Sequence, residues 1–162
     1  MPVPFKDQNE ITELGHAAFL KIVSPNEMVY QGSLFFINAK GEPVEFCYNK
    51  IKIPDPFLWK KEDLFLHAAR KLVLSLFSVA ISTPKILFCL APEIPPLLFG
   101  TEIEISVSVC RVENQTHLFW FPGLPSPDSE EEELFECLKR KGLLLEPFER
   151  ARAGLKEIYK DS

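Results

Sequence analysis

Ser33-Leu34-Phe35-Phe36-Ile37-Asn38, Ala39-Lys40-Gly41-Glu42 and Pro43-Val44-Glu45-Phe46-Cys47-Tyr48 make up the stretch whose reading decides the fold. Two runs rich in β-branched and aromatic residues flank a short polar loop. Asn38 suits the first position of a type I turn, and Gly41 suits the left-handed residue that completes a bulged hairpin loop. This register would set Phe36 opposite Val44 and Leu34 opposite Phe46 on one face of a hairpin. Phe35, Glu45 and Cys47 would lie on the other.

Working outward, residues through Glu13 are polar and contain proline, as in a loose arm or a short helix. Residues 17–23 read as a strand and 24–27 as a turn. On the other side, 50–61 is an irregular connector with Pro54 and Pro56. Residues 62–81 predict a helix with Asp63 near its positive end, and apolar side chains nearly encircle it. Such a helix belongs at the centre of a core. The run 85–90 reads as a buried strand. Residues 91–100 form a proline-rich loop, and 102–112 alternate with Ile103, Ile105, Val107 and Val109 inward. A further strand is expected over 115–121.

The stretch 121–127, with three prolines and a glycine, is the clearest boundary. After it, Ser126 can cap a helix that has Pro127 at its first position, a run of acids in its first turns and Gly142 as its stop. A second helix over 147–160 repeats Phe148, Ala151, Leu155 and Ile158. The expected class is therefore α+β: an antiparallel sheet packed on one long buried helix, with a C-terminal helical extension. Its parts are a core over 1–121, a linker over 122–127 and an extension over 128–162. The extension's apolar residues Leu134, Leu138, Phe148, Leu155 and Ile158 suit either a fold back onto the same chain or association with a second subunit, and association is preferred.

At 162 residues the chain can bury one substantial core. Phe alone accounts for 14 residues, enough that some rings can be left for a binding surface. Proline (14) outnumbers glycine (7), which together with many Lys and Glu suits a heat-adapted protein. The net charge of −5 hides a division: residues 50–71 carry six basic and three acidic side chains, whereas 126–162 carry seven basic and ten acidic ones. No signal peptide or membrane span is evident, and Cys47, Cys89, Cys110 and Cys137 stand apart from one another as buried thiols would. A cytoplasmic location follows as the expectation.

His16, His67 and His117 are isolated, and no nucleophile motif, metal-ligand spacing or phosphate-binding glycine loop is present. The chain is therefore expected to be no enzyme and to need no cofactor or metal. The segment 48–61 carries a different pattern: Tyr48, Phe57 and Trp59 interleave with Lys50, Lys52, Lys60 and Lys61, and Lys71 follows one helix later. Cations that track phosphates beside rings that stack on bases are how single strands are held. The same rings would also serve as core plugs, with the lysines only solubilising a loop. Both readings stand at this point.

The hairpin, the Lys- and aromatic-bearing connector, the long helix and the helical extension after a linker together resemble the ThermoDBP-related family of thermophile single-stranded DNA-binding proteins. The resemblance implies sequence-tolerant binding of single-stranded DNA, with RNA left open, by a homo-oligomer. The contacts expected from the basic and aromatic pattern itself, not from the resemblance, are Tyr48, Lys50, Lys52, Phe57, Trp59, Lys60, Lys61 and Lys71. A protein-interaction adaptor with an acidic helical tail is the alternative.

Overall fold

The computed structural model describes residues 13–160, so most of the expected N-terminal arm lies outside the described residues. Six strands form one sheet: β1 (Ala17–Asn26), β2 (Val29–Ile37), β3 (Pro43–Lys52), β4 (Ile86–Leu90), β5 (Ser108–Val112) and β6 (Leu118–Phe121). Their spatial order is β3-β2-β1-β4-β5-β6. Strands β1, β2 and β3 run antiparallel, β4 lies parallel to β1, β5 parallel to β4, and β6 antiparallel to β5. The sheet is thus mixed, which corrects the antiparallel expectation. The reason is the connection after β3: helix α1 (Lys61–Val79) carries the chain back across one face, and β4 enters beside β1 in the same direction. A hairpin reverses a strand; a helical crossover does not.

The hairpin forms, but one residue out of the expected register. Phe36 pairs with Glu45, Phe35 with Phe46 and Leu34 with Cys47, because an irregularity next to Ile37 absorbs one residue. A single-residue slip exchanges the two faces of a strand. Cys47 consequently joins the core beneath α1, and Phe46 turns to the opposite face. The loop chemistry is as read: the Asn38 Oδ1 accepts the N–H groups of Lys40 (2.9 Å) and Glu42 (3.0 Å), and Gly41 adopts φ +86°.

Helix α1 buries Leu64, Ala68, Ala69, Leu72, Val73 and Leu76, a stripe at three- and four-residue spacing. Leu74 and Val79 are exposed on its outer side. It is an amphipathic cover on one sheet face rather than a helix enclosed on all sides, which corrects the second part of the expected class. Beyond its end, the Glu45 carboxylate accepts the N–H groups of Ile81 and Ser82, both at 2.8 Å, and the Cys47 thiol at 3.2 Å. Burial alone would raise the Glu45 carboxyl, but these hydrogen bonds outweigh it and hold the group down to about 2. Burial likewise pushes the Cys47 and Cys110 thiols up to about 12, so both stay protonated. All four cysteines are free and buried.

The other face is covered by α2 (Glu130–Arg140) and α3 (Glu146–Ile158). Ser129, not Ser126, caps α2: its Oγ accepts the Glu132 N–H at 3.2 Å, and the Glu132 carboxylate accepts the Asp128 N–H at 3.0 Å. Phe19 and Phe88 stack at 4.8 Å beneath these helices, and Phe148 of α3 meets Phe19 edge-on at 5.1 Å. Leu134, Leu138, Phe148 and Leu155 are essentially inaccessible here, and only Ile158 of the residues expected to join subunits is exposed. The apolar stripes of the extension are therefore spent on the chain's own sheet, the fold-back that the sequence also allowed. Arg150 ties α3 to the hairpin by donating to the Gly41 carbonyl at 2.8 Å. Gly154 lets α3 approach the sheet: a Cβ there would meet the Phe46 ring at 2.8 Å.

Candidate nucleic-acid interface

Strand β3 is an edge strand, and its side chains alternate between the two covered faces. Glu45, Cys47, Asn49 and Ile51 point toward α1, as the bond from Asn49 to the Ser75 hydroxyl shows. Phe46, Tyr48, Lys50 and Lys52 take the α3 side. Tyr48 meets Tyr159 edge-on, with ring centroids 6.0 Å apart, and the Lys50 ammonium lies 5.0 Å from the centre of the Tyr159 ring. Burial and then the neighbouring Tyr48 push the Tyr159 phenol above its ordinary range, so it stays protonated at neutral pH.

After β3 the chain changes side. Ile53 is buried and donates its N–H to the Met28 carbonyl at 2.7 Å; Asp55, at φ +53°, then throws Pro56–Leu58 outward as a single turn. Phe57 is 80% exposed and Leu58 74%. Trp59, at 38%, lies flat on His67 of α1, with ring centroids 4.6 Å apart and planes 25° apart. Burial, with the charges of Lys71 and Arg70, lowers the His67 pKa and keeps this stack between neutral rings at pH 7. Lys60, Lys61 and Lys71 are exposed around it, and none makes an ion pair with a described residue.

The eight predicted contacts therefore divide into two groups. Tyr48, Lys50 and Lys52 belong to the α3 side of the sheet edge. Phe57, Trp59, Lys60, Lys61 and Lys71 surround the start of α1. None of the three rings is a core plug. The sequence reading missed what faces Lys50: a cleft of about 740 Å³ between α3 and the ends of β1–β3. Arg152, Lys156 and Lys160 line it from α3, and Val23, Gln31 and Lys50, one cross-strand row, line it from the sheet. A signal existed in the four-residue steps from Arg152 to Lys156 to Lys160, beside the apolar stripe that drew attention instead.

A second polar region lies between the carboxyl ends of parallel β1 and β4, where open sheets commonly hold ligands. Here Lys21 and Glu93 form an ion pair, with side chains 14% and 22% exposed, and the Ile22 N–H also donates to Glu93 at 3.4 Å. His117 sits in the 113–117 turn, where its N–H donates to the Asn114 side chain at 2.9 Å. Among the described residues no group of three or more His, Cys, Asp or Glu side chains is placed to hold a metal ion, and no helix is long and apolar enough to cross a membrane.

No protein-family model matches the sequence, and no curated protein does. Among solved structures the chain is similar to the crystal structure of Ciona intestinalis Endonuclease V in complex with a 24mer DNA containing an inosine followed by a ribo-adenosine. The TM-score is 0.42 and the identity 13%, over 85% of this chain and 67% of that one. The expectation that the chain is no enzyme is corrected on this comparison: the matched structure is that of an endonuclease, and absence of catalysis is not assigned to the chain. At that TM-score the likeness transfers no residue and no activity.

Proposed function

We propose that this chain binds single-stranded nucleic acid with little sequence preference, as the ThermoDBP-related family does, along the edge formed by β3 and the start of α1. The observation that carries the reading is the exposure of three rings, Phe57 at 80%, Tyr48 at 48% and Trp59 at 38%, among lysines that have no carboxylate partner among the described residues. Folding gains nothing from leaving large rings in water; stacking on bases gives them a use. Lys50, Lys52, Lys60, Lys61 and Lys71 supply the phosphate contacts.

Fluorescence anisotropy with labelled oligo-dT and oligo-U tests this. Five phosphate contacts give a slope of log affinity against log salt of about −3.5, so binding weakens about a hundredfold between about 50 and 200 mM salt. Absence of binding at the lower salt, or affinity indifferent to salt, refutes the reading; the two oligomers separate DNA from RNA. Leu58 supports a second reading, a protein-docking tip, because at 74% exposure it presents no stacking plane. Under that reading Leu58→Ser leaves oligomer binding unmeasurable, as in the parent, and abolishes capture of a partner polypeptide.

A further inference from the structure

The cleft under α3 has a composition that its surroundings do not explain. Four cations line it, Lys50, Arg152, Lys156 and Lys160, against one carboxylate, Glu149, in a chain whose net charge is −5. Lys160 pairs with Glu157 at 2.8 Å, but Lys50, Arg152 and Lys156 have no carboxylate partner among the described residues. Three uncompensated cations around one concavity repel one another, and that arrangement is relieved by an anion of more than one charge.

Neutral groups in and beside the cleft are equally underused. The Gln31 side chain, part of its floor, makes no hydrogen bond with a described residue. Ser33, the next residue of β2 on the same face, is fully buried, and its hydroxyl has no partner among the described residues. Buried hydroxyls are nearly always paired, so this one, behind the lining of the cleft rather than in it, marks a place for a buried water contact. Tyr159 adds an aromatic wall, held edge-on by Tyr48. A volume of about 740 Å³ is in the range of small-molecule sites and exceeds what a bare phosphate would fill.

We infer that the cleft between α3 and strands β1–β3 is a binding site for a nucleoside phosphate, its phosphate held by Lys50, Arg152 and Lys156 and its base set beside Tyr159. The planar guanidinium of Arg152 supplies paired donors to phosphate oxygens, and the two ammonium groups supply charge. The site shares Lys50 with the strand-binding reading, but takes Arg152 and Lys156 from α3 and needs nothing from the Trp59 side of the sheet edge.

Isothermal titration of the full chain with adenosine 5′-monophosphate, adenosine and inorganic phosphate tests the inference. The monophosphate is expected to bind about tenfold or more tighter than either fragment. The double substitution Arg152→Ala with Lys156→Ala is expected to weaken it by about tenfold or more, whereas Lys141→Ala, which removes a like charge outside the cleft, changes nothing. Both substituted positions are exposed, and unchanged thermal unfolding confirms that the variant is folded. No heat of binding with the monophosphate, equal affinity for adenosine, or an unaffected double variant overturns the assignment. Oligo-dT bound without the monophosphate refutes the cleft alone; the monophosphate bound without oligo-dT refutes strand binding alone.

Discussion

At Lys21, strand β1 contributes a cation to a closed pair with Glu93; at Val23 and Asn26 the same strand helps to floor a cleft where Lys50, Arg152 and Lys156 form no ion pair with a described residue. The first region lies where open sheets commonly hold ligands, yet it is filled by the protein's own ions. The second lies at an edge, under a late helix, and sets one carboxylate, Glu149, against four cations. The contrast separates two uses of charge. Where solvent is scarce, an ion is tolerable only with a partner, and the pair becomes part of the fold. Where solvent is plentiful, an unpartnered ion costs the fold little and remains available to something else.

Unequal sensitivity to losing one cation is the sharpest way to break this contrast. Lys21→Ala leaves Glu93 without its partner in a half-closed crevice, and a loss of about 3 kcal/mol in urea unfolding is expected. Equal losses from Lys21→Ala and Arg152→Ala would erase the distinction. Next in size is a binding effect: Trp59→Ala should weaken oligo-dT binding by about 1–3 kcal/mol, more than Trp120→Ala does. Trp120 packs edge-on against Phe135 at 5.0 Å and is turned away from the exposed rings.

Glu45 extends the comparison to a group satisfied by N–H donors rather than by an ion. Its folded pKa is depressed to about 2 from an ordinary 4.5, so its contribution is complete above about 4.5 and is lost as pH falls toward 2. Urea midpoints measured from pH 6 down to pH 2 should fall in that window, and Glu45→Gln should flatten the fall. The smallest expected effect belongs to the open cleft: Arg152→Ala should shift unfolding by less than about 0.5 kcal/mol in either direction.

Local chemistry made much of this fold legible. The Asn38–Gly41 loop, the β4 run and the Gly142 stop, at φ +69°, all express preferences that a few neighbouring residues settle. What depended on distant parts was not legible. The irregularity before Ile37 is one residue in the backbone, yet it turned Phe46 to the other face. The parallel entry of β4 depends on which way α1 crosses. The stripe Phe148, Ala151, Leu155 announces that a surface will be covered, but not whose.

The candidate site divided along the same line. The exposure of Phe57 and Trp59 followed from the proline-framed turn, and the aromatic-basic interleaving pointed to it. Only the α3 side of the cleft left a trace in the sequence, because Gln31 and Lys50 meet Arg152 and Lys156 across about a hundred residues of chain. No periodicity links them.

The division of the interior between α1 on one side and α2 with α3 on the other has a consequence for biosynthesis. All six strands exist once residue 121 has been translated, but the Phe19–Phe88 face gains its first cover only with α2 and its full cover only when α3 has been made. At about 5–20 residues per second the wait is about two to seven seconds. During that interval the nascent chain offers a sticky phenylalanine sheet to chaperones and to neighbouring nascent chains.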